Sequence, residues 1–421
     1  MAFRQGIYSI GMALVQVETL SNGLTVAIEE QPWNPGVAFQ LLIPAGATTD
    51  PAGLEGATNL LEGWLWKGAG GRDARAFAEA LDDLGVRRSS GAGLEASYFA
   101  ASFLSDHLEK VLTLYADLLL RPQFPDDALD PVRQMALQEL ASLEDEPPRK
   151  MFTALRRAVF ESSHGRNPTG TAQGLKAATP EDLRKDYQRR FTPQGAILAL
   201  AGGVAVTEGL EAARRAFASW QGNAAELPQA RLSQPHSIHL EQKSAQVQIG
   251  LVYPDVGIEH PEYYASRLST QVLSGGMGSR LFTEVREKRG LVYSVYASPG
   301  GVKGYSYLGA YAGTTPENAP ATLQVLAAEI ERLQEGVTQE ELDRAKIGLR
   351  TALVMQQESA RSRAGSIAND LFLRGRVRTL EEIESQIMAV DLGRLNRFVA
   401  ENPYTRPWSA TLGPAKLEVL A

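Results

Sequence analysis

The sequence predicts an α+β protein of two homologous αβ domains, each an antiparallel or mixed β-sheet flanked by helices. Three observations support this. The chain has 421 residues, which at roughly 100 to 200 residues per domain suggests two to four domains. Runs with the two-residue period of strands open the chain, and runs with helical spacing follow them. The same order of elements then returns in the second half, the mark of a duplicated fold.

In chain order, alternating apolar and polar residues in Val15–Leu20 and Leu24–Glu29 flank Asn22-Gly23. That dipeptide tolerates positive φ, so the pair reads as a β-hairpin. The interrupted apolar stretch Ile7–Val17 reads as a first strand and not as a signal peptide, because it lacks a clean small-residue cleavage site. Val37–Ile43 is a third strand. It leads through Pro44 and Gly46 into a helix over Gly56–Lys67, where Leu60, Leu61, Trp64 and Leu65 recur at helical spacing. Asp73 is the expected N-cap of a helix over Ala74–Leu84, and Gly85 is its stop. Ser97–Phe103 reads as strand, Leu108–Leu120 as an amphipathic helix and Pro125–Ser142 as a long helix.

The repeat is visible residue by residue. Val37–Ala45 (VAFQLLIPA) matches Val247–Asp255 (VQIGLVYPD), and Ser97-Tyr98-Phe99 matches Ser306-Tyr307-Leu308 at nearly the same offset. Leu129-Asp130 matches Leu342-Asp343 with slight slippage. The irregular stretch Trp220–Pro235 is the expected join, giving domains over residues 1–220 and 236–421 with a linker over 221–235.

Composition narrows the function. With 44% apolar and 22% charged residues the chain is globular. Lys plus Arg number 42 against 49 Asp plus Glu, a net charge of -7 that argues against a nucleic-acid partner. Cysteine is absent, so disulfides, thiolate metal sites and cysteine nucleophiles are excluded. No stretch approaches the ~20 uninterrupted apolar residues of a membrane helix, and a soluble, cytoplasmic protein without membrane contact is expected. The five histidines (His107, His164, His236, His239 and His260) are scattered and read as surface or capping residues. His236 and His239 fall on a strand at an odd offset, on opposite faces.

Two segments bear on chemistry. The first is Gly56-Ala57-Thr58-Asn59-Leu60-Leu61-Glu62-Gly63-Trp64-Leu65-Trp66-Lys67-Gly68. It resembles the metal helix of the inverzincin, or pitrilysin-type, metallopeptidases, in their mitochondrial-processing-peptidase-like branch. In that family H-x-x-E-H places two His on one helical face to grip zinc, while the Glu polarises the bound water. Here the ligand positions are Asn59 and Gly63, and only Glu62 remains. The resemblance makes Glu139 the position of a third ligand on a later helix. A neutral amide, a residue without a side chain and one carboxylate make a poor zinc site, so no metal is expected in this chain. Glu62, without its partners, reads as a polar residue left in a cleft, and Trp64 and Trp66 read as packing.

The second segment runs from Ser274-Gly275-Gly276-Met277-Gly278 through Arg286 and Tyr293 to Tyr296. It lacks the Lys-Ser or Lys-Thr ending of a phosphate-binding loop. By the resemblance, Gly275, Gly276 and Gly278 contact substrate, and Arg286 and Tyr293 reach across a clam-like cleft toward the peptide, as donors to a carbonyl and its developing oxyanion. By spacing alone the same two residues would be a solvated helix residue and a half-buried strand residue. Pro122–Phe124, Asn167-Pro168, Thr179–Leu183, Phe191–Pro193 and Thr411–Pro414 extend the resemblance over most of the chain.

The resemblance implies a non-catalytic subunit that binds peptide and supplies Arg286 and Tyr293 in trans to a paralogue bearing H-x-x-E-H and the zinc. The alternatives are a homodimeric peptide-binding or assembly protein without peptidase activity and, third, an active peptidase using ligands such as Glu62 and Glu139.

Overall fold

The computed structural model describes residues 15–223, 226–357 and 359–417. The first half runs β1 (Val15–Thr19), β2 (Thr25–Glu30), β3 (Gly36–Ile43), α1 (Ala57–Leu65), a short pair β4 (Gly68–Ala69) and β5 (Arg72–Asp73), α2 (Ala74–Asp82), β6 (Arg87–Ala92) and β7 (Ser97–Leu104). It continues with α3 (Leu108–Leu120), α4 (Leu129–Ser142), α5 (Pro147–Val159), α6 (Ala172–Ala177), α7 (Pro180–Arg190), β8 (Ile197–Gly202) and α8 (Val206–Phe217). The second half runs β9 (Ser237–Glu241), β10 (Val247–Asp255), α9 (Tyr263–Ser274), a π-helical turn over Phe282–Glu287, β11 (Val292–Val302) and β12 (Tyr305–Thr314). It closes with α10 (Ala319–Glu331), α11 (Gln339–Gln357), α12 (Ala360–Arg374), α13 (Leu380–Met388), α14 (Leu392–Glu401) and β13 (Trp408–Gly413).

The opening hairpin forms with Gly23 at φ 92 and Thr19 paired to Thr25. Of the stretch expected as a first strand, residues 7–14 lie outside the described residues, and Val15 to Val17 belong to β1. The helix expected over Pro125–Ser142 is instead a 3-10 turn over Asp126–Ala128 followed by α4. Pro131 sits in the first turn of α4, where a missing N–H costs nothing.

The two sheets share one topology. The first has strand order β1-β2-β8-β3-β7-β6 and the second, read from its other edge, β9-β13-β10-β12-β11. Without β1 the two orders correspond strand for strand, including the parallel pairs β2 with β8 and β9 with β13. The duplication read from sequence is therefore a duplication of fold.

Each central strand is buried on both faces, and its period of two divides the faces between two cores. Phe39, Leu41 and Ile43 of β3 join the core under the helices of their own half, while Leu42 points to a separate cluster. That cluster is completed by Ile367, Ala368 and Leu371 of α12, from the other half. Reciprocally, Met151, Leu155 and Val159 of α5 pack on Val252, Trp408, Ala410 and Leu412 of the second sheet. The halves thus exchange equivalent helices. Gly250 of β10 permits this approach, since a Cβ there would stand 2.5 Å from the Met151 sulfur. A buried ion pair fastens the other exchange: Arg363 Nε of α12 donates to both carboxylate oxygens of Glu29 at 3.0 Å, and Gln31 Nε2 donates to the same carboxylate at 2.8 Å.

Candidate functional site

Helix α1 begins at Gly56, which is left-handed (φ 106) and has no side-chain cap. Buried Asp50 supplies the missing acceptors, taking hydrogen bonds from the Gly56 and Thr58 amides at 2.8 and 2.9 Å. Arg190 of α7 holds Asp50 in turn, with Nη2 3.2 Å from its Oδ1. Burial pushes the Asp50 carboxyl above the ordinary aspartate range, against the pull of Arg190 and the hydrogen bonds. This anchoring fixes the helix that presents Asn59, Glu62 and Gly63.

Glu62 lines a cavity of about 680 Å3, which Asn59 and Glu139 also line. Three of the four degenerate metal-site positions, Asn59, Glu62 and Glu139, therefore line one cavity. The fourth, Gly63, is turned elsewhere: a Cβ built on it would lie 2.9 Å from Cγ1 of Val132 on α4. Val132, Ala136 and Glu139 recur at helical spacing, so the residue that closes on Gly63 and the third-ligand position share one face of α4.

The remaining groups are engaged with other partners. Glu62 Oε1 accepts from Ser90 Oγ at 2.5 Å and from Trp66 Nε1 at 3.0 Å. Glu139 Oε1 accepts from Arg149 Nη2 at 2.7 Å and Thr169 Oγ1 at 3.2 Å. Asn59 Nδ2 makes a long 3.5 Å contact to the Thr169 carbonyl. Among the described residues no three His, Asp or Glu side chains stand where they could hold a metal ion. These residues do not fit the zinc that H-x-x-E-H would bind.

Arg286 and Tyr293 stand outside the lining of this cavity, both on irregular backbone. Arg286 lies on the π-helical turn, exposed, with its guanidinium 5.1 Å from the centre of the Phe282 ring. Tyr293 is 70% exposed and is the extra residue of a β-bulge, because the register steps from Val292 opposite Thr314 to Ser294 opposite Gly313. Bulges re-aim side chains, and π-turns recur at functional sites. Gly275, Gly276 and Gly278 line a separate cavity of about 60 Å3 beside Glu341 and Arg344.

Sequence reasoning missed much of the large cavity. Ser90 lies on β6, a strand whose polar sequence RRSSGA hides its alternation. Arg149, Phe152 and Arg156 come from α5, whose start is signalled by Pro147-Pro148 and whose packing face by Met151, Leu155 and Val159. Tyr296 of β11 is the second half's contribution to the lining. Trp66 is more than packing, since its indole holds Glu62. Among the histidines, His164 departs from a surface role: it is 1% exposed, with Nε2 3.4 Å from Glu95 Oε1.

A two-half, sheet-and-helix chain with a metallopeptidase-like helix and replaced metal positions defines the class. Two family models match in tandem: Insulinase (Peptidase family M16) over residues 25–172 and Peptidase M16 inactive domain over residues 177–349. An uncharacterized zinc protease of Mycobacterium tuberculosis is 30% identical over 410 residues, covering 94% of this chain and 92% of that protein. One of Rickettsia bellii is 28% identical over 406 residues, covering 95% and 98%. Among solved structures, a peptidase M16 inactive domain from Pseudomonas fluorescens superposes with TM-score 0.87 at 23% identity, covering 97% of this chain and 100% of that one. A protease from Helicobacter pylori superposes at 0.88 and 20%, covering 96% and 100%. These two likenesses concern the fold. The chain belongs to the M16, pitrilysin-type peptidase family. No helix among the described residues is long and apolar enough to cross a membrane.

Proposed function

We propose that this chain is the non-catalytic, peptide-binding subunit of an M16 peptidase pair, with zinc carried only by a partner subunit that has the complete H-x-x-E-H motif. The observation behind this reading is a contrast within one chain. The metal positions are closed by Val132 and tied up by Ser90, Trp66, Arg149 and Thr169, while Arg286 and Tyr293 remain exposed on backbone irregularities that aim them outward. A guanidinium and a phenol there donate hydrogen bonds to the carbonyl of a peptide held in the partner's site. They stabilise the negative charge that grows on that oxygen as the bond is cleaved. The exposed glycines at 275, 276 and 278 leave room for peptide backbone to approach.

The test is peptide hydrolysis by a paralogue bearing the complete motif, measured with and without this chain. Wild type is expected to raise the rate, and Arg286→Ala or Tyr293→Phe to lose roughly 10²- to 10³-fold of that stimulation, the usual effect of removing an oxyanion donor. Hydrolysis by this chain alone, or equal stimulation by Arg286→Ala, would overturn the reading. A stable homodimer that leaves the paralogue's rate unchanged would replace it with the peptide-binding alternative.

A further inference from the structure

A third cavity, of about 240 Å3, lies wholly within the second half, bounded by α9, α12 and the β11–β12 hairpin. Its volume is below that of sites for drug-sized ligands, so its occupant is a single small molecule. Two opposite charges line it. Arg267 of α9 is half-buried and makes no hydrogen bond or ion pair with any described residue. Asp255, at the end of β10, accepts from Ser266 Oγ at 2.5 Å, from the Val256 amide at 2.8 Å and from the Tyr404 hydroxyl; it attracts Arg267 across the cavity, but no hydrogen bond or ion pair joins the two. Tyr305, another lining residue, has a buried hydroxyl without a partner. The rest of the wall includes Tyr263, Tyr307 and Val302.

Most other half-buried arginines of this chain have partners, although Arg156, in the lining of the large cavity, makes no side-chain hydrogen bond or ion pair with a described residue either. Arg378 has Asp370 and the Tyr264 hydroxyl, and Arg280 has Glu341. What sets Arg267 apart is that its unpaired guanidinium shares a cavity with the unpaired Tyr305 phenol, and N–H donors withdrawn from water without acceptors are costly. Burial pushes the Arg267 guanidinium down and the Asp255 carboxyl up, so both charges are partly desolvated. An anion alone would be drawn to Arg267 and repelled by Asp255. A molecule that carries both charges on groups attached to one carbon satisfies the two together.

We infer that this cavity binds a free α-amino acid with an apolar or aromatic side chain, its carboxylate on Arg267, its ammonium on Asp255 and its side chain against the tyrosines. A peptide terminus is a poorer occupant, because either end of a peptide carries only one of the two charges. The site is independent of the subunit reading above.

The test is calorimetric titration of the full chain with L-phenylalanine and with L-leucine, beside N-acetyl-L-phenylalanine and L-phenylalanine amide. The expected result is saturable one-to-one binding of at least one free amino acid, with the singly charged analogues weaker by about tenfold or more, the scale of losing a charge-assisted pair. Arg267→Met is expected to abolish binding while leaving the Tm no lower than wild type, because it removes an unpaired, partly buried charge. Asp255→Asn provides a second variant and is expected to weaken binding about tenfold. The inference is overturned if neither free amino acid binds, if the acetylated or amidated form binds as tightly, or if both variants bind like wild type.

Discussion

Gly63 sits where the packing of α1 against α4 leaves no room for a side chain. In an open helix, replacing glycine by alanine stabilises by about 0.8–1 kcal/mol. Here the new Cβ would stand 2.9 Å from Val132, and overpacking of that kind costs about 1–3 kcal/mol, so the steric term wins. Gly63→Ala is expected to lower the unfolding free energy measured in urea, and Val132→Ala in the same chain to recover part of the loss. For the same reason Asn59→His with Gly63→His should take up no zinc until Val132 is also shortened, as metal analysis would show; zinc uptake by the double variant would contradict the steric account. Glu341 supplies a pH test. Burial raises its carboxyl, but the Arg280 guanidinium and the Thr338 amide and hydroxyl together pull harder and leave it at about 2. A carboxyl held below its ordinary value of 4.5 contributes stability above that pH and loses it as pH falls toward 2. Glu341→Gln should therefore be less stable than wild type at neutral pH, with the gap closing between pH 4.5 and 2; a constant gap would rule out this linkage.

At the scale of elements, what was legible followed local pattern. Asn22-Gly23 marked the hairpin, and the apolar run Val37–Ile43 marked β3, because those signals lie within a few residues. The Asn59, Glu62 and Gly63 positions were legible because a motif is itself local. Val132 and Ser90 were not, since their roles depend on α4 and β6 meeting α1 across the fold. The exchange of α5 and α12 was equally hidden: each carries an ordinary amphipathic stripe, and nothing in a stripe says which sheet it covers. The exchange can be tested through Arg363 and Glu29, which are 5% and 3% exposed. Arg363→Ala leaves Glu29 buried without its cation and is expected to cost about 3–5 kcal/mol. Arg363→Met with Glu29→Leu should cost much less, because no charge is then stranded. Equal losses in the two urea titrations would mean that the pair itself, and not the stranded carboxylate, dominates.

For the whole molecule, duplication supplies two copies of one sheet-and-helix unit, and the copies have diverged in what they present. The first offers a cavity where Glu62 and Glu139 accept hydrogen bonds from neighbouring side chains. The second presents Arg286 and Tyr293 on distorted backbone. Each half also covers the other's sheet, so the halves are expected to unfold together, with a single transition in calorimetry; two separated transitions would show that the exchanged helices do not couple them. On the proposed reading, this chain contributes to peptide handling without a metal of its own. The most direct measurement is the zinc content of the full chain after saturation with zinc and gel filtration, with peptide hydrolysis read on the same sample. No retained zinc and no hydrolysis are expected. Retention of one zinc per chain, lost in Glu139→Gln and accompanied by cleavage of peptide, would contradict that reading.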